Sequence, residues 1–194
     1  MSTRTRSRLL LALLVVALVV LVGAIRGSRT SQESAAPSKH AVAAAFAGSP
    51  PALASLHARA NRLISGGPSA LAAELRRLHG HPVVINEWAS WCEPCQSEFP
   101  SYQRAAVAFG REVAFIGVDG NDTNARASAF LRRFPVTYPS WVDPHQQIAR
   151  SLQALGGYPQ TIYLDRSGGE VYDHAGPYLT VGALKRDIRR YALG

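Results

Sequence analysis

The chain opens on an unbroken apolar block and only later becomes patterned. Leu9 to Ile25 carries no charged or strongly polar side chain, a length at the lower end of the ~17–25 residues that cross a bilayer as a helix. Gly27 to Ala47 is rich in Ser, Ala, Thr and Gln and poor in large apolar residues, the composition of a flexible tether. Leu53, Leu56, His57, Ala60, Leu63 and Ile64 recur at helical spacing, which predicts a short amphipathic helix over Pro51 to Ile64. Gly66-Gly67-Pro68 breaks it, and Ser69 is placed to cap a second helix, Ala70 to Leu78, that His79-Gly80 ends. The β-branched and aromatic run from Pro82 up to the Ser90-Trp91 turn then reads as a buried strand.

Ser90-Trp91 turns that strand into a helix over Cys92 to Phe109, whose first turn suits Glu93 and Pro94. Pro100 lies inside this helix and removes one backbone hydrogen bond. Asp119-Gly120-Asn121-Asp122 ends a further strand and caps a helix over Thr123 to Phe134. That acidic loop lacks the glutamate and the spacing of a calcium-binding hand. Tyr158-Pro159 leads into a strand, Gln160 to Leu164, and Asp165 to Gly169 reads as a hairpin turn before Val171. There is no internal repeat, and residues 48–194 amount to one domain.

Charge refines the N-terminal reading. Arg4, Arg6 and Arg8 precede the apolar block, Arg26 and Arg29 follow it, and no small-x-small cleavage site comes directly after it. The sequence therefore predicts a cytoplasmic N-terminus at 1–8, a transmembrane signal anchor at 9–25, a tether at 26–47 and an extracytoplasmic domain at 48–194. A cleaved signal peptide is the alternative. The net charge of +8 is concentrated there: residues 1–40 hold six basic residues and one acid, which leaves +3 for the rest. A basic N-terminal flank suits anionic lipid headgroups. The domain has no basic stripe, so nucleic-acid binding is not expected.

Cys92 and Cys95 are the only cysteines, in Trp91-Cys92-Glu93-Pro94-Cys95. At the start of a helix this spacing puts both sulfurs on one face of the first turn, close enough to bond. A helix N-terminus favours thiolate over thiol, so Cys92 suits a nucleophile and Cys95 a resolving thiol. A zinc site would need further ligands, and His79, His81, His145 and His174 lack ligand spacing. A purely structural disulfide closing so short a loop would constrain the unfolded chain little.

Beyond these local arguments, the chain resembles the thioredoxin superfamily, and within it the TlpA/ResA-like membrane-anchored thiol-disulfide oxidoreductases. The resemblance rests on Val84 to Cys95, Glu98-Phe99-Pro100, Val113 to Asp119, Tyr138-Pro139, Asp143-Pro144 and Gly157 to Asp165. It covers about Pro82 to Gly194. It implies an α/β thioredoxin-like fold, a central mixed β-sheet flanked by helices, with a TlpA-type helical insert. A helical N-terminal extension over 48–81 would replace the usual opening hairpin. The resemblance further implies a cis Pro159 facing the cysteines and a Tyr158 backbone free to pair with an incoming peptide. Glu98 would manage protons in place of the buried aspartate that thioredoxins keep at the position of Asn86. One departure stands out: Glu87 occupies a strand position that is apolar in the family, so either that face is partly wet or an Arg or His pairs with it.

The candidate site is accordingly Cys92, Cys95, Glu98 and Pro159 for chemistry, with Trp91, Tyr158, Glu93 and Pro94 at the substrate. Trp88 is expected to pack in the core. No cofactor beyond the redox-active Cys92–Cys95 disulfide is expected, and the domain should be monomeric. The expected function is disulfide exchange with exported proteins, as a reductant, with apocytochrome c among the usual clients of the family and a membrane thiol-electron transporter as donor. A disulfide-forming oxidase is the nearest alternative, and a copper-delivery or client-binding module a more distant one. A peroxidase of the peroxiredoxin group would need Thr or Ser three residues before the reactive cysteine and Pro four before that, where Ala89 and Ile85 stand.

Overall fold

The buried strand that the sequence places before the cysteines is the centre of the molecule. In a computed structural model that describes residues 37–194, it is β2, Val83–Trp88, and every residue in it is buried. The chain runs α1 (Lys39–Phe46), α2 (Pro51–His57), β1 (Leu63–Ile64), α3 (Gly67–Arg77), β2, α4 (Glu93–Phe109), β3 (Ala114–Gly120) and α5 (Asn124–Arg133). It continues through β4 (Ser140–Asp143), α6 (Gln147–Ser151), β5 (Gln160–Leu164), β6 (Glu170–Ala175) and α7 (Val181–Asp187), and ends in a π-helical turn, Ile188–Ala192. The sheet order is β1-β4-β3-β2-β5-β6. β1, β4, β3 and β2 run parallel, while β5 pairs antiparallel with both β2 and β6.

Strand alternation divides the core into two layers. Val84 and Trp88 point toward α4 and pack with Phe99, Tyr102, Phe115 and Phe130. Val83 and Ile85 point the other way, onto Leu53, Leu56, Leu71, Ile116, Trp141 and Ile162. Trp88 is a core residue, as expected. It is fully buried, stacks on Phe130 and donates from Nε1 to Ser140 Oγ at 3.2 Å. The space for that bond comes from Gly117, where a Cβ would stand 2.1 Å from Ser140 Oγ.

Three N-terminal expectations change. The tether does not extend to Ala47, because Lys39–Phe46 is a helix capped by Ser38 Oγ, which accepts from Ala41 N. Alanine-rich sequence forms helix readily, and the Phe46 ring stacks on His57 at 3.8 Å. His57 in turn bonds the Gly110 carbonyl through Nε2 at 2.8 Å, tying α1 and α2 to the end of α4. The helix expected over Pro51 to Ile64 stops at His57, and Leu63–Ile64 is an edge strand beside β4. The next helix starts at Gly67 rather than Ala70. Its N-cap is Gly66 with no side-chain bond, so Ser69 lies within the helix and caps nothing. The helical extension expected over 48–81 therefore contains a strand. A buried glutamate on α3, Glu74, is matched by Arg59 at 2.5 Å.

The anchor expected at 9–25 and the tether segment 26–36 lie outside the described residues. Among the described residues no helix is long and apolar enough to cross a membrane. If α1 is part of the domain, Phe46→Ala should lower unfolding stability by about 1–2 kcal/mol, from lost stacking and burial. Urea denaturation measures this, and an unchanged midpoint would return residues 39–46 to a tether.

Candidate active site

β2 delivers the chain to the sulfurs. It ends at Trp88, Ala89 to Trp91 turn, and Cys92 is the N-cap of α4 with an extended backbone. Cys95 N donates to Cys92 Sγ at 3.1 Å. An N-cap normally accepts from an orphan amide of the first turn through a side-chain oxygen. Here sulfur takes that place, so a thiolate on Cys92 is met by a backbone donor and by the positive end of the helix. The two sulfurs form a disulfide, S–S 2.03 Å with the Cα atoms 5.3 Å apart. In this oxidised form Cys92 is 4% exposed and Cys95 0%. Both sulfur-bearing residues are thus buried in this form. Glu93 and Pro94, between them, are both exposed.

The turn is held from the β3 side. Ser90 N donates to Asp122 Oδ2 at 2.7 Å, and Trp91 Nε1 donates to the Asn121 carbonyl at 3.0 Å. Trp91 is half exposed and meets the Tyr158 ring edge-on at 5.4 Å. The Tyr158-Pro159 bond is cis, as the resemblance implied, and Pro159 is buried while Tyr158 is half-buried. Tyr158 leans over Gly120, where a Cβ would lie 2.2 Å from its hydroxyl. Gly157 and Tyr158 make no backbone–backbone hydrogen bond among the described residues. Half-exposed Trp91 and half-buried Tyr158 thus offer aromatic surface beside unpaired peptide groups.

Glu98 is not a solvated helix glutamate. It is fully buried on the inner face of α4, and its Oε2 accepts from Tyr178 N at 3.0 Å. Oε1 has no partner, and Asn86 and the Tyr138 hydroxyl lie beside it without a hydrogen bond of ordinary geometry. Burial pushes the Glu98 carboxyl up to about 8 against these weaker opposing bonds. The same burial raises the hydroxyls of Tyr102 and Tyr138.

Of the two expectations for Glu87 the cation fails, since no Arg or His pairs with it among the described residues. Glu87 itself is 2% exposed, while Asp173 on β6, whose charge acts on it, is exposed. Glu87 Oε2 has no hydrogen-bond partner. Burial, then the charges of Asp143 and Asp173, push its carboxyl up to about 8. A neutral carboxyl is how a strand acid without a cation is accommodated. Asp119 behaves alike, raised to about 8 by burial and by Asp122. Glu87 and Glu98 do not share a site. Glu87 follows Asn86 on the strand, so it projects to the sheet face away from α4.

The sequence reading missed the residues that hold the Tyr158 segment. Gln146 Nε2 donates to Tyr158 Oη at 3.1 Å, and Gln160 Oε1 accepts from Gly156 N at 3.0 Å. Neither residue type marks chemistry on its own, and both contacts depend on loops folding back.

Known proteins are similar across this region. A family model described as AhpC/TSA family matches residues 70–172. The thiol-disulfide oxidoreductase ResA of Oceanobacillus iheyensis is 28% identical over 115 residues, 58% of this chain and 58% of that protein. The chain thus spans a little over half the length of the curated relatives it matches. Among solved structures, one from Chlorobium tepidum, assigned as a thiol:disulfide interchange protein DsbE, is 29% identical with a TM-score of 0.56. It covers 62% of this chain and 85% of that one. A DsbF homologue from Corynebacterium diphtheriae is 28% identical with a TM-score of 0.55, over 60% of this chain and 75% of that one. These neighbours bear out the thioredoxin-like fold and the ResA-like resemblance.

The buried acids give a pH dependence with a definite sign. Glu87 and Glu98 hold their protons to about pH 8 when folded, against 4.5 for the free group. Between those values the folded chain binds more protons than the unfolded one, so stability falls as pH rises. Glu98→Gln and Glu87→Gln should each flatten that fall in thermal unfolding followed across the interval. A slope equal to that of the parent chain would mean that the acid removed is already ionised in the fold.

Proposed function

The chain belongs to the AhpC/TSA family, and from that premise we propose that it is an extracytoplasmic thiol-disulfide oxidoreductase of the ResA and DsbE kind, acting as a reductant on exported proteins. The observation that carries this is the Cys92–Cys95 pair at the N-terminus of α4, with Cys95 N donating to Cys92 Sγ. A peptide edge free of backbone bonds lies beside it at Gly157-Tyr158.

In the reductive direction the reduced dithiol is the reagent. The Cys92 thiolate attacks one sulfur of a client disulfide, forming a mixed disulfide and releasing the other client sulfur as thiolate. Cys95 then loses its proton and attacks Cys92 Sγ. That closes the intramolecular disulfide and frees the second client thiolate. Two electrons pass from the dithiol to the client. A membrane thiol-electron transporter would return the domain to its reduced form, with the apolar segment 9–25 as the anchor that holds the domain at the membrane. The disulfide is the only redox group the reaction requires.

Glu98 fits the proton step by place and by chemistry. It lies one helical turn beyond Cys95 on α4 and is buried. A group raised to about 8 exchanges protons with a thiol at low driving force near neutral pH. Trp91 and Tyr158 are the client-facing side chains, and exposed Glu93 and Pro94 border the sulfurs. Pro159 lines the same edge. Haem-attachment thiols of apocytochrome c are one client class that this chemistry serves.

Two measurements test the reading. Cys95→Ser should accumulate a mixed disulfide between Cys92 and a client, whereas Cys92→Ser should not. Trapping through Cys95 instead would reverse the two roles. The reduction potential of the couple decides direction, because strong oxidants lie near about −120 mV and thioredoxin near about −270 mV. A value toward the thioredoxin end supports the reductant, and one toward the other end makes the protein an oxidase.

A further inference from the structure

The segment Leu155 to Pro159 has no regular structure of its own, yet it is fixed at two points by side chains outside the dithiol. Gln160 is 4% exposed and is the first residue of β5. Its Oε1 accepts from Gly156 N at 3.0 Å, and its Nε2 donates to the Asp173 carboxylate on β6. An amide has one acceptor end and one donor end. The Asp173 bond consumes the donor end and so turns the oxygen toward Gly156. With Gly156 N tied back, the next residues are Gly157, at φ +100°, and Tyr158, whose peptide groups make no backbone bonds.

Gln146 holds the other end of the segment. It adopts a left-handed backbone, φ 53° and ψ 33°, before α6, a conformation that non-glycine residues seldom take without support from their surroundings. That support is Asp143, whose carbonyl accepts from Gln146 N. Its carboxylate accepts from Gln147 N at 2.7 Å and Ala149 N at 2.9 Å. Held in this turn, Gln146 Nε2 reaches Tyr158 Oη at 3.1 Å. The Tyr158 ring is thus bounded by Gln146, Gly120 and Trp91.

We propose that Gln160 and Gln146 are positioning residues that hold Gly156–Tyr158 as a preformed edge for a client's extended backbone. They set client affinity without taking part in the thiol chemistry. This rests on the disulfide-exchange reading above. Preformed peptide groups add a strand without first losing conformational freedom, which is where strand addition gains its affinity. Gln160→Leu removes both bonds of that amide. Gln146→Ala releases Tyr158 from the opposite side and serves as an independent variant. Gln160→Glu keeps the acceptor for Gly156 but loses the donor to Asp173 until it is protonated. The titratable groups facing that position are Asp173 on β6, Glu87 on β2, Asp143 on β4 and Tyr158 on the segment itself.

The test compares two substrates of the reduced protein, a short synthetic peptide closed by one disulfide and bis(2-hydroxyethyl) disulfide, which has no backbone to pair. For Gln160→Leu and Gln146→Ala, KM for the peptide should rise about five- to tenfold, as losing one or two hydrogen bonds implies. The rate with the small disulfide should match that of the parent protein. For Gln160→Glu, the peptide KM relative to the parent at each pH should recover on acidification, when a protonated acid again donates to Asp173. Unchanged peptide KM in the two amide-removing variants overturns the proposal, and so does a parallel loss with both substrates. A parent protein inert toward both disulfides would overturn the exchange reading itself, and the proposal with it.

Discussion

A sulfur standing where a helix N-cap oxygen would normally stand is the contact on which the site depends. Cys92 Sγ can accept from Cys95 N only if α4 begins at Glu93, and α4 can begin there only because β2 ends at Trp88. β2 has no freedom to slide. It is paired on both sides, with β3 from Val83 to Trp88 and with β5 from Val83 to Glu87. A slip by one residue would turn Asn86 and Trp88 out of the α4 layer and Glu87 into it. The register of the central strand and the protonation chemistry of the dithiol are therefore one constraint seen at two scales.

The same strand shows how far the sequence can be read. The strand before the cysteines is legible because its β-branched and aromatic residues favour a buried strand despite Asn86 and Glu87, and Cys92 to Phe109 because Pro94 and the motif mark its start. The pairing of the two cysteines follows from their spacing at a helix start, while the mixed sheet and the cis bond before Pro159 come through the family resemblance, and the structure has all three. The N-terminal third was read less well. Leu63 and Ile64 continue the helical spacing from Leu53, so periodicity counts them as helix. Their conformation is decided by pairing with Ser140 and Trp141, far away in sequence. Residues 39–46 look like a tether because they contain one large apolar residue at the end of an alanine run. That residue, Phe46, finds His57 across a turn. Local composition carries no record of either partner.

Glu87 is the sharper case. Sequence reasoning treated an acid on a central strand as needing water or a cation, because it priced the charged form. Among the described residues no cation pairs with it, and Asp143 and Asp173 lie close enough to disfavour charge further. The proton is the missing partner. Asn86 and Glu87 alternate across β2, so the same two residues assign the strand's polar groups to different layers: Asn86 beside Glu98 under the dithiol, Glu87 beneath the sheet. Glu87 and Glu98 are both buried acids with raised pKa, and the pleat of a single strand puts them on different faces of the sheet.

That separation gives the two sheet faces different work. On the α4 face, Glu98, Asn86 and Tyr138 form a buried polar group set beneath the sulfurs, with the protein's large aromatic core sealing it from solvent. On the opposite face, Asp143, Gln146, Gln160 and Asp173 support the segment that borders the sulfurs from the side. Electron transfer by thiol exchange needs both a proton path and a held client, and each needs polar groups that a β-sheet core does not readily accept. Placing them on opposite faces of β2 keeps the two sets apart: the Gln146, Gln160 and Asp173 set is hydrogen-bonded, while Glu98 Oε1, Asn86 and the Tyr138 hydroxyl are left without partners beneath the dithiol. A change in client preference can then arise from β5, β6 and the α6 turn while the sulfurs and Glu98 keep their surroundings.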